Sequence, residues 1–310
     1  MGGPYASLRR RRYRRRLSGS SRAVVAVIGT LLALLVFFAL FGVFLTQYLP
    51  LWMNENEVAF TNSAESSFAY LKSNVDLQTA LQSPPVFQTP FTMNSQGVPL
   101  IAQPTVGVLS FIPFTPGVFA NISMNPGPGN SHLFWQNVTL GTVSMYLPNR
   151  YFSPQTFSYE DDAVVQAQTD TSQILAFPPT MTVNQTGNQI SVTMSLVQLL
   201  GNASQVITTG TQQVASHFVF SQTYASNGTG LPGTLNATFA IGTHFPCAWA
   251  SYLAQILSQA KIAASHYTLT PNTCVASGGN VVKIALSLKS ITTFTLVFAE
   301  LNLVTGVGVS

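Results

Sequence analysis

The sequence predicts an N-terminal transmembrane and stalk α-helix followed by a mainly-β extracellular domain, an antiparallel β-sandwich with one inserted helix. Three observations carry that prediction. An uncharged apolar run of membrane-spanning length lies near the N-terminus, from Ala23 to Leu45. Beyond about Val86 the apolar residues recur at every second position, the period of a half-buried strand. The chain is 46% hydrophobic but only 7% charged, far below the roughly 25% of ordinary soluble domains. Such a composition argues against a cytoplasmic enzyme and for a β-rich surface of uncharged polar residues. The expected boundaries are 1–22 for a basic cytoplasmic leader, 23–49 for the transmembrane helix, 50–85 for an amphipathic stalk helix and 86–310 for the outer domain.

Charge is concentrated at the front. Eight of the 13 basic residues are Arg9, Arg10, Arg11, Arg12, Arg14, Arg15, Arg16 and Arg22. Beyond Arg22, five basic residues face nine acidic ones, so the remainder is mildly acidic. An arginine block is a footprint for nucleic acid as well as a topology signal. The apolar run directly behind it makes the membrane explanation sufficient, and no nucleic-acid partner is predicted. At about 1.5 Å rise per residue, the run AVVAVIGTLLALLVFFALFGVFL makes roughly 34 Å of helix, enough to cross a lipid bilayer. Arginines stay on the cytoplasmic side, which places everything after Gln47 outside. The run exceeds the apolar core of a cleaved secretory signal, and no small-x-small site follows between Leu45 and Pro50. An uncleaved anchor is therefore expected. Gly29, Ala33, Ala39 and Gly42 are small enough to let neighbouring helices approach closely.

The stretch from Arg22 to Leu32, RAVVAVIGTLL, resembles the N-terminus of archaeal type IV pilin-like proteins. In that family a basic and a small residue precede a cut on the cytoplasmic side of the apolar helix. The resemblance makes Arg22 and Ala23 the recognition pair of a prepilin-type peptidase and Val24 the first mature residue. The run Val27-Ile28-Gly29-Thr30 is also similar. Many bacterial pilins carry a glutamate at the fifth mature position, which helps register the helix in a filament; here that position is Ile28. A plain signal anchor, left intact at Met1, is the alternative.

After the span, Pro50 predicts a kink or break. Helical spacing then resumes: Phe60, Ala64, Phe68, Leu71 and Val75 line one face, with Glu55, Glu57, Glu65, Lys72 and Asp76 interspersed. Pro84 and Pro85 end the helix. The stripe needs a partner, either the protein's own sheet or a neighbouring subunit. The segments LWMNENEVAF and FAYLKSNVDLQ also resemble the post-membrane region of the same family.

Alternation defines the outer domain. Ile190, Val192, Met194 and Leu196 alternate with Ser191, Thr193 and Ser195; Leu235, Ala237, Phe239 and Ile241 alternate with Asn236 and Thr238. Ile284, Leu286 and Leu288, then Phe294, Leu296 and Phe298, repeat the pattern. One-sided strands of this kind pack as antiparallel sheets. Turn signals fall at 125–129, at Glu160-Asp161-Asp162, at 227–230 and at Ser277-Gly278-Gly279. One helix interrupts the strands, with Trp249, Leu253, Ile256, Leu257 and Ala260 on one face. Cys247 and Cys274 bracket it; in an outward-facing domain they form one disulfide, two buried thiols being the alternative. Sequons at Asn121, Asn137, Asn184, Asn202, Asn227 and Asn236 are consistent with a glycosylated surface protein. The segments SMYLPNRYFSPQTFSYEDDAVVQAQ, LAFPPTMTV and ISVTMSLVQLLGNAS also resemble outer domains of archaeal pilin-like proteins, which carries the likeness over about the first two thirds of the chain.

Chemistry is sparse. The histidines are His132, His217, His244 and His266; His244 and Cys247 have the spacing of half a zinc site, but no second half follows, so no metal is expected. Glu160, Asp161 and Asp162 with Asp170 could bind calcium, but they read better as a solvated hairpin tip. No nucleophile elbow, HExxH or phosphate loop occurs, and neither a catalytic residue nor a cofactor is predicted. Three functions remain. The first is a pilin-like structural protein, anchored in the bilayer or assembled through its helix with copies of itself or other pilin-like subunits. The second is a monomeric anchored module binding carbohydrate or cell-envelope material, with Trp135, Tyr146 and Tyr151 as the aromatic residues to inspect. The third is an outer-surface hydrolase using paired carboxylates.

Overall fold

The computed structural model describes residues 20–82, 85–99, 101–125, 134–168, 171–187, 189–227, 235–275 and 277–306. The chain divides into two compact units, Met1–Trp52 and Met53–Ser310.

The first unit is helical. Helix α1 (Ser20–Val43) is followed by a π-helical turn, Phe44–Tyr48, and by the start of α2 (Leu49–Leu81). From Val24 to Leu40 the side chains of α1 are exposed, and the helix is long and apolar enough to cross a membrane. Its hydroxyls are turned back onto the backbone: Thr30 Oγ1 donates to the Val27 carbonyl at 2.9 Å and Thr46 Oγ1 to that of Gly42 at 2.8 Å. Neither then presents an unpaired donor to lipid. The expected break at Pro50 does not occur, and the backbone remains helical through it. The Leu49 N–H bonds the Phe44 carbonyl, five residues back. That wider turn shifts the hydrogen-bond register just before the proline, whose missing N–H and bulky ring would otherwise disrupt the ladder.

Among its described residues the second unit holds fifteen strands, most of α2, one further α-helix and a short 3-10 turn, Ala264–His266. The strands are β1 (Phe87–Thr92), β2 (Val108–Ile112), β3 (Phe119–Asn125), β4 (Phe134–Thr139), β5 (Thr142–Leu147), β6 (Gln155–Glu160), β7 (Ala163–Ala167) and β8 (Gln173–Phe177). They continue as β9 (Met181–Thr186), β10 (Gln189–Gly201), β11 (Ser204–Val206), β12 (Thr211–Asn227), β13 (Leu235–Thr243), β14 (Tyr267–Thr270) and β15 (Val282–Thr305). Helix α3 (Pro246–Gln259) lies between β13 and β14. One sheet of six strands has the order β11-β2-β5-β6-β7-β8. The other, of nine, runs β1-β12-β15-β13-β3-β4, with β10 and β14 also on β15 and β9 on β10. The strands that alternation predicts are present, with their apolar residues inward. Among the described pairings one departs from the expected antiparallel scheme: β10 and β15 run parallel, from Ile190↔Ile291 to Gly201↔Leu303.

Strand β15 organises the larger sheet. Its first half pairs with β13 and β14, its second half with β12 and β10. The exchange of neighbours falls beside Ser290, whose φ of 63° is left-handed, and opposite a bulge between Leu235 and Ala237. A left-handed residue next to a bulge swings the strand, so one strand can serve two cores.

The first core packs α3 (Trp249, Leu253, Leu257) on β3, β9, β10, β13 and β15 as far as Phe298. The second is formed around α2. Phe60, Ala64, Phe68, Leu71 and Val75 are all buried there, against Phe91 of one sheet and Phe111, Met145 and Phe157 of the other. Phe68 joins the layers, edge-on to Phe91 at 5.2 Å and stacked on Phe157 at 5.9 Å. Of the two partners open to the stripe of segment 50–85, the protein's own sheets take it, and from Met53 onward the helix supplies the interior of half of the domain.

Candidate functional site

Polar residues of α2 share its buried stripe and clasp the helix to the surrounding strands. Glu57 is fully buried. Its carboxylate accepts the backbone N–H groups of Arg150, Tyr151 and Phe152 at 2.7–3.0 Å and the Thr105 hydroxyl at 2.6 Å. Burial pushes its pKa up, but the Arg150 N–H, the Thr105 hydroxyl and the Phe152 and Tyr151 N–H groups outweigh that and hold it below the usual carboxylate value. One turn on, Thr61 Oγ1 accepts the amides of Asn149 at 3.2 Å and Gln155 at 3.0 Å. Near the far end, the Gln78 amide donates to the carbonyls of Pro85 and Ser216. From Glu57 to Gln78 these contacts extend over about 30 Å of helix.

Between them lies an acidic clasp. Strands β6 and β7 are joined by the two-residue turn Asp161-Asp162, with φ of 46° and 59°, the left-handed pair that a tight hairpin requires. The sequence suggests a solvated tip; instead Glu160, Asp161 and Asp162 are 0%, 2% and 1% exposed. The reason is the apolar flank on each side: Tyr159, Ala163 and Val164 belong to the two cores and draw the turn inward. Lys72 Nζ reaches across from α2 to Asp162 at 2.9 Å and to Asp76 at 3.1 Å. Asp162 also accepts from Ser195 Oγ at 2.6 Å and the Thr180 N–H at 2.8 Å. On the other side, Glu160 Oε1 accepts from Thr243 Oγ1 and from the Trp249 indole at 2.8 Å. The turn thus ties α2 to α3 through the boundary of the two cores.

Four carboxyl groups here face one ammonium. Burial raises Asp76 to about 7, helped by the adjacent Asp162 carboxyl and opposed by Lys72. Burial likewise lifts Glu160 to about 7 against the hydrogen bonds from Thr243 and Trp249. Asp161 is raised well above the carboxylate range by burial and then by its two acidic neighbours. Burial also works on Asp162, but Lys72, with the hydrogen bonds from Asp76, Ser195 and Thr180, prevails and lowers it. Lys72 thus favours the charged form of Asp162, whereas burial favours the protonated forms of Asp76, Glu160 and Asp161. Buried Tyr159 OH, Glu160 Oε2 and Asp161 Oδ1 have no hydrogen-bond partner among the described residues. Among the described residues no group of three or more His, Cys, Asp or Glu is arranged to hold a metal ion; Asp170 lies outside them.

A second feature is a groove of about 750 Å³ between α3 and the segment from β8 to β9. Its floor includes Leu175, Met181, Val183 and Ile256, and its rim Thr182, Asn184, Ser251, Tyr252, Gln255 and Gln259. The Tyr252 ring is set edge-on to Trp249 at 6.4 Å.

The other residues singled out from the sequence are scattered. Arg22 and Ala23 are in the first turns of α1, with Val24 exposed beside them. Gly29 and Gly42 have nothing within 4 Å of where a Cβ would stand. At 100° per residue, Gly29 and Ala33 share one side of the helix while Ala39 and Gly42 fall on another, giving two notches rather than one stripe. Cys247 and Cys274 form a disulfide that links the start of α3 to the loop after β14. Asn137, Asn184 and Asn202 are exposed, Asn121 and Asn236 half-buried, and the Asn227 side chain lies outside the description. Asn121 and Asn137 are direct cross-strand partners. Trp135 lies on β4 of the nine-stranded sheet and Tyr146 on β5 of the six-stranded one, while Tyr151 is in a loop, so the three share no sheet face. The sequence reading missed Glu57, Thr61, Lys72 and Gln78. Their signal was spacing: they fall at the three- and four-residue steps of the apolar stripe. The chain matches no protein-family model, no curated protein and no solved structure.

Proposed function

We propose that this chain is a cell-surface structural protein of archaeal pilin-like type, without enzymatic activity. Its N-terminal helix sits in the bilayer, or is packed against pilin-like subunits in a surface filament, and displays the β domain outside the cell. The arginine block keeps the N-terminus in the cytoplasm. One observation supports the reading: the sequence runs on from the apolar span into α2, whose Phe60, Phe68 and Leu71 are buried in the second core. A tethered enzyme or binding module needs only a flexible connection to its anchor. A structural subunit must bear load, and an interior helix held between both sheets resists being drawn out of the domain. Pulling α2 away would expose Phe60, Phe68 and Leu71 and strand Glu57 and Lys72. N-terminal sequencing of the protein from its native membrane tests the processing: a start at Val24 supports it, whereas an intact Met1 leaves a plain anchor. Electron microscopy of sheared surface fractions tests assembly, and filaments lacking this chain would contradict it.

A further inference from the structure

We propose that the groove between α3 and the β8–β9 segment is a saccharide seat, and that its occupant is the N-linked glycan of Asn184. Four observations lead there. The groove is uncharged: among the described residues lining it there is no Asp, Glu, Lys, Arg or His, and its rim is made of amides and hydroxyls. That chemistry suits a neutral polyhydroxylated ligand and disfavours phosphate, carboxylate or ammonium groups. The polar groups are also spaced for a chain. Ser251, Gln255 and Gln259 are exposed at successive four-residue steps on α3, about 6 Å apart along the helix, so each can meet a successive ring.

The third observation is the floor. Ile256 and Leu175 with the half-buried ring of Tyr252 offer an apolar surface to the C–H face of a sugar, and Tyr252 is held in place by Trp249. The fourth decides the occupant. Asn184, exposed on β9 and part of the sequon Asn184-Gln185-Thr186, stands in the wall of the groove itself. Among the described residues strand β9 pairs with β10 alone, so this wall is a sheet edge. A glycan attached at Asn184 is present at an effective concentration of order millimolar, so even a weak seat is filled by it before any free sugar. A seated glycan would also cover the β9 edge against pairing with another chain.

Periodate oxidation of vicinal diols, read by mass spectrometry of the Asn184 glycopeptide, tests this on the full-length protein purified from its native membrane in detergent. The reference is the same glycopeptide after proteolysis. The expected result is oxidation about tenfold slower in the folded protein than in the free glycopeptide, as a seat filled about nine-tenths of the time requires. The double variant Q255A/Q259A leaves the fold intact, since both side chains are exposed and alanine favours helix. It should bring the two rates to within about twofold, as should Tyr252→Ala. An unmodified Asn184, equal rates in the parent protein, or protection unchanged by both variants would each overturn the proposal. So would an Asn184 glycan that stays fully accessible while an added neutral oligosaccharide binds the groove.

Discussion

Replacing Lys72 with methionine removes the cation that balances the acidic clasp while keeping most of the side chain's length. Lys72 is 8% exposed and bridges Asp162 at 2.9 Å and Asp76 at 3.1 Å. Breaking a buried pair by deleting one partner costs about 3–5 kcal/mol when the other must stay charged. Asp162 keeps its bonds from Ser195 and Thr180, which points to the lower part of that range. The loss depends on pH, because the stranded carboxyl can take up a proton instead, at about 1.4 kcal/mol for each pH unit above its ordinary value. The folded-state pKa of Asp162 is lowered, so its ion pair stabilises above the ordinary carboxyl pKa and fades as pH falls through the folded value. At pH 7 escape by protonation is costly and the full penalty applies; at pH 3 it is nearly free and about 1 kcal/mol remains. For a unit of this size, about 2–4 °C per kcal/mol makes the loss in Tm roughly 10 °C at pH 7 and about 3 °C at pH 3. Thermal unfolding of the full chain in detergent, followed by near-ultraviolet circular dichroism, measures it. Equal shifts at the two pH values, or a shift under about 2 °C at pH 7, would refute the reasoning.

Other consequences follow from the same geometry. The folded-state pKa values of Asp76 and Glu160 are raised to about 7, so the folded protein holds extra protons and its stability should fall as pH climbs from about 4 to about 7. Glu160→Gln keeps an acceptor for Thr243 and Trp249 while removing the titration; it should raise Tm at pH 8 by several degrees and leave it nearly unchanged at pH 4, which scanning calorimetry at both values checks. Phe68→Ala opens a cavity between helix and both sheets and should cost about 3–5 kcal/mol, seen as a matching drop in the unfolding midpoint. Reducing Cys247–Cys274, which closes a loop of 27 residues, should cost about 3–4 kcal/mol, measurable as the Tm difference with and without reductant.

Much of this architecture was legible in the residue pattern, and the misses among the buried polar groups share one cause. The strands around Val192, Phe239, Leu286 and Leu296 were readable because each buries one face, and a period of two records that directly. Helix α3 and its apolar face were readable for the same reason, as was the stripe from Phe60 to Val75. What periodicity cannot report is a helix enclosed by sheets on more than one side, whose stripe carries polar groups satisfied only by tertiary partners. Glu57 looks like a surface acid until the N–H groups of residues 150–152, about ninety positions away, converge on it. The Glu160–Asp162 turn misleads similarly: three acids in a row normally mark solvent, and only the register of β6 with β7, together with Lys72 from another element, takes them inside. The parallel pairing of β10 with β15 was hidden as well, since alternation fixes which face is buried and not the direction of a neighbour. The groove was invisible for a different reason: Asn184 reads as one sequon among six and Gln255 as an ordinary helix residue, and they come together where β9 passes α3.

Amide hydrogen exchange on the full-length protein in detergent tests the central claim most directly, namely that the helix following the apolar span forms the interior of half of the β domain. Amides from Phe60 to Gln78 should exchange as slowly as those of β10 and β15, because all three report the same global opening. Exchange of that helical segment orders of magnitude faster than the long strands would mean that it stands apart as a stalk, and the account of the second core would be wrong.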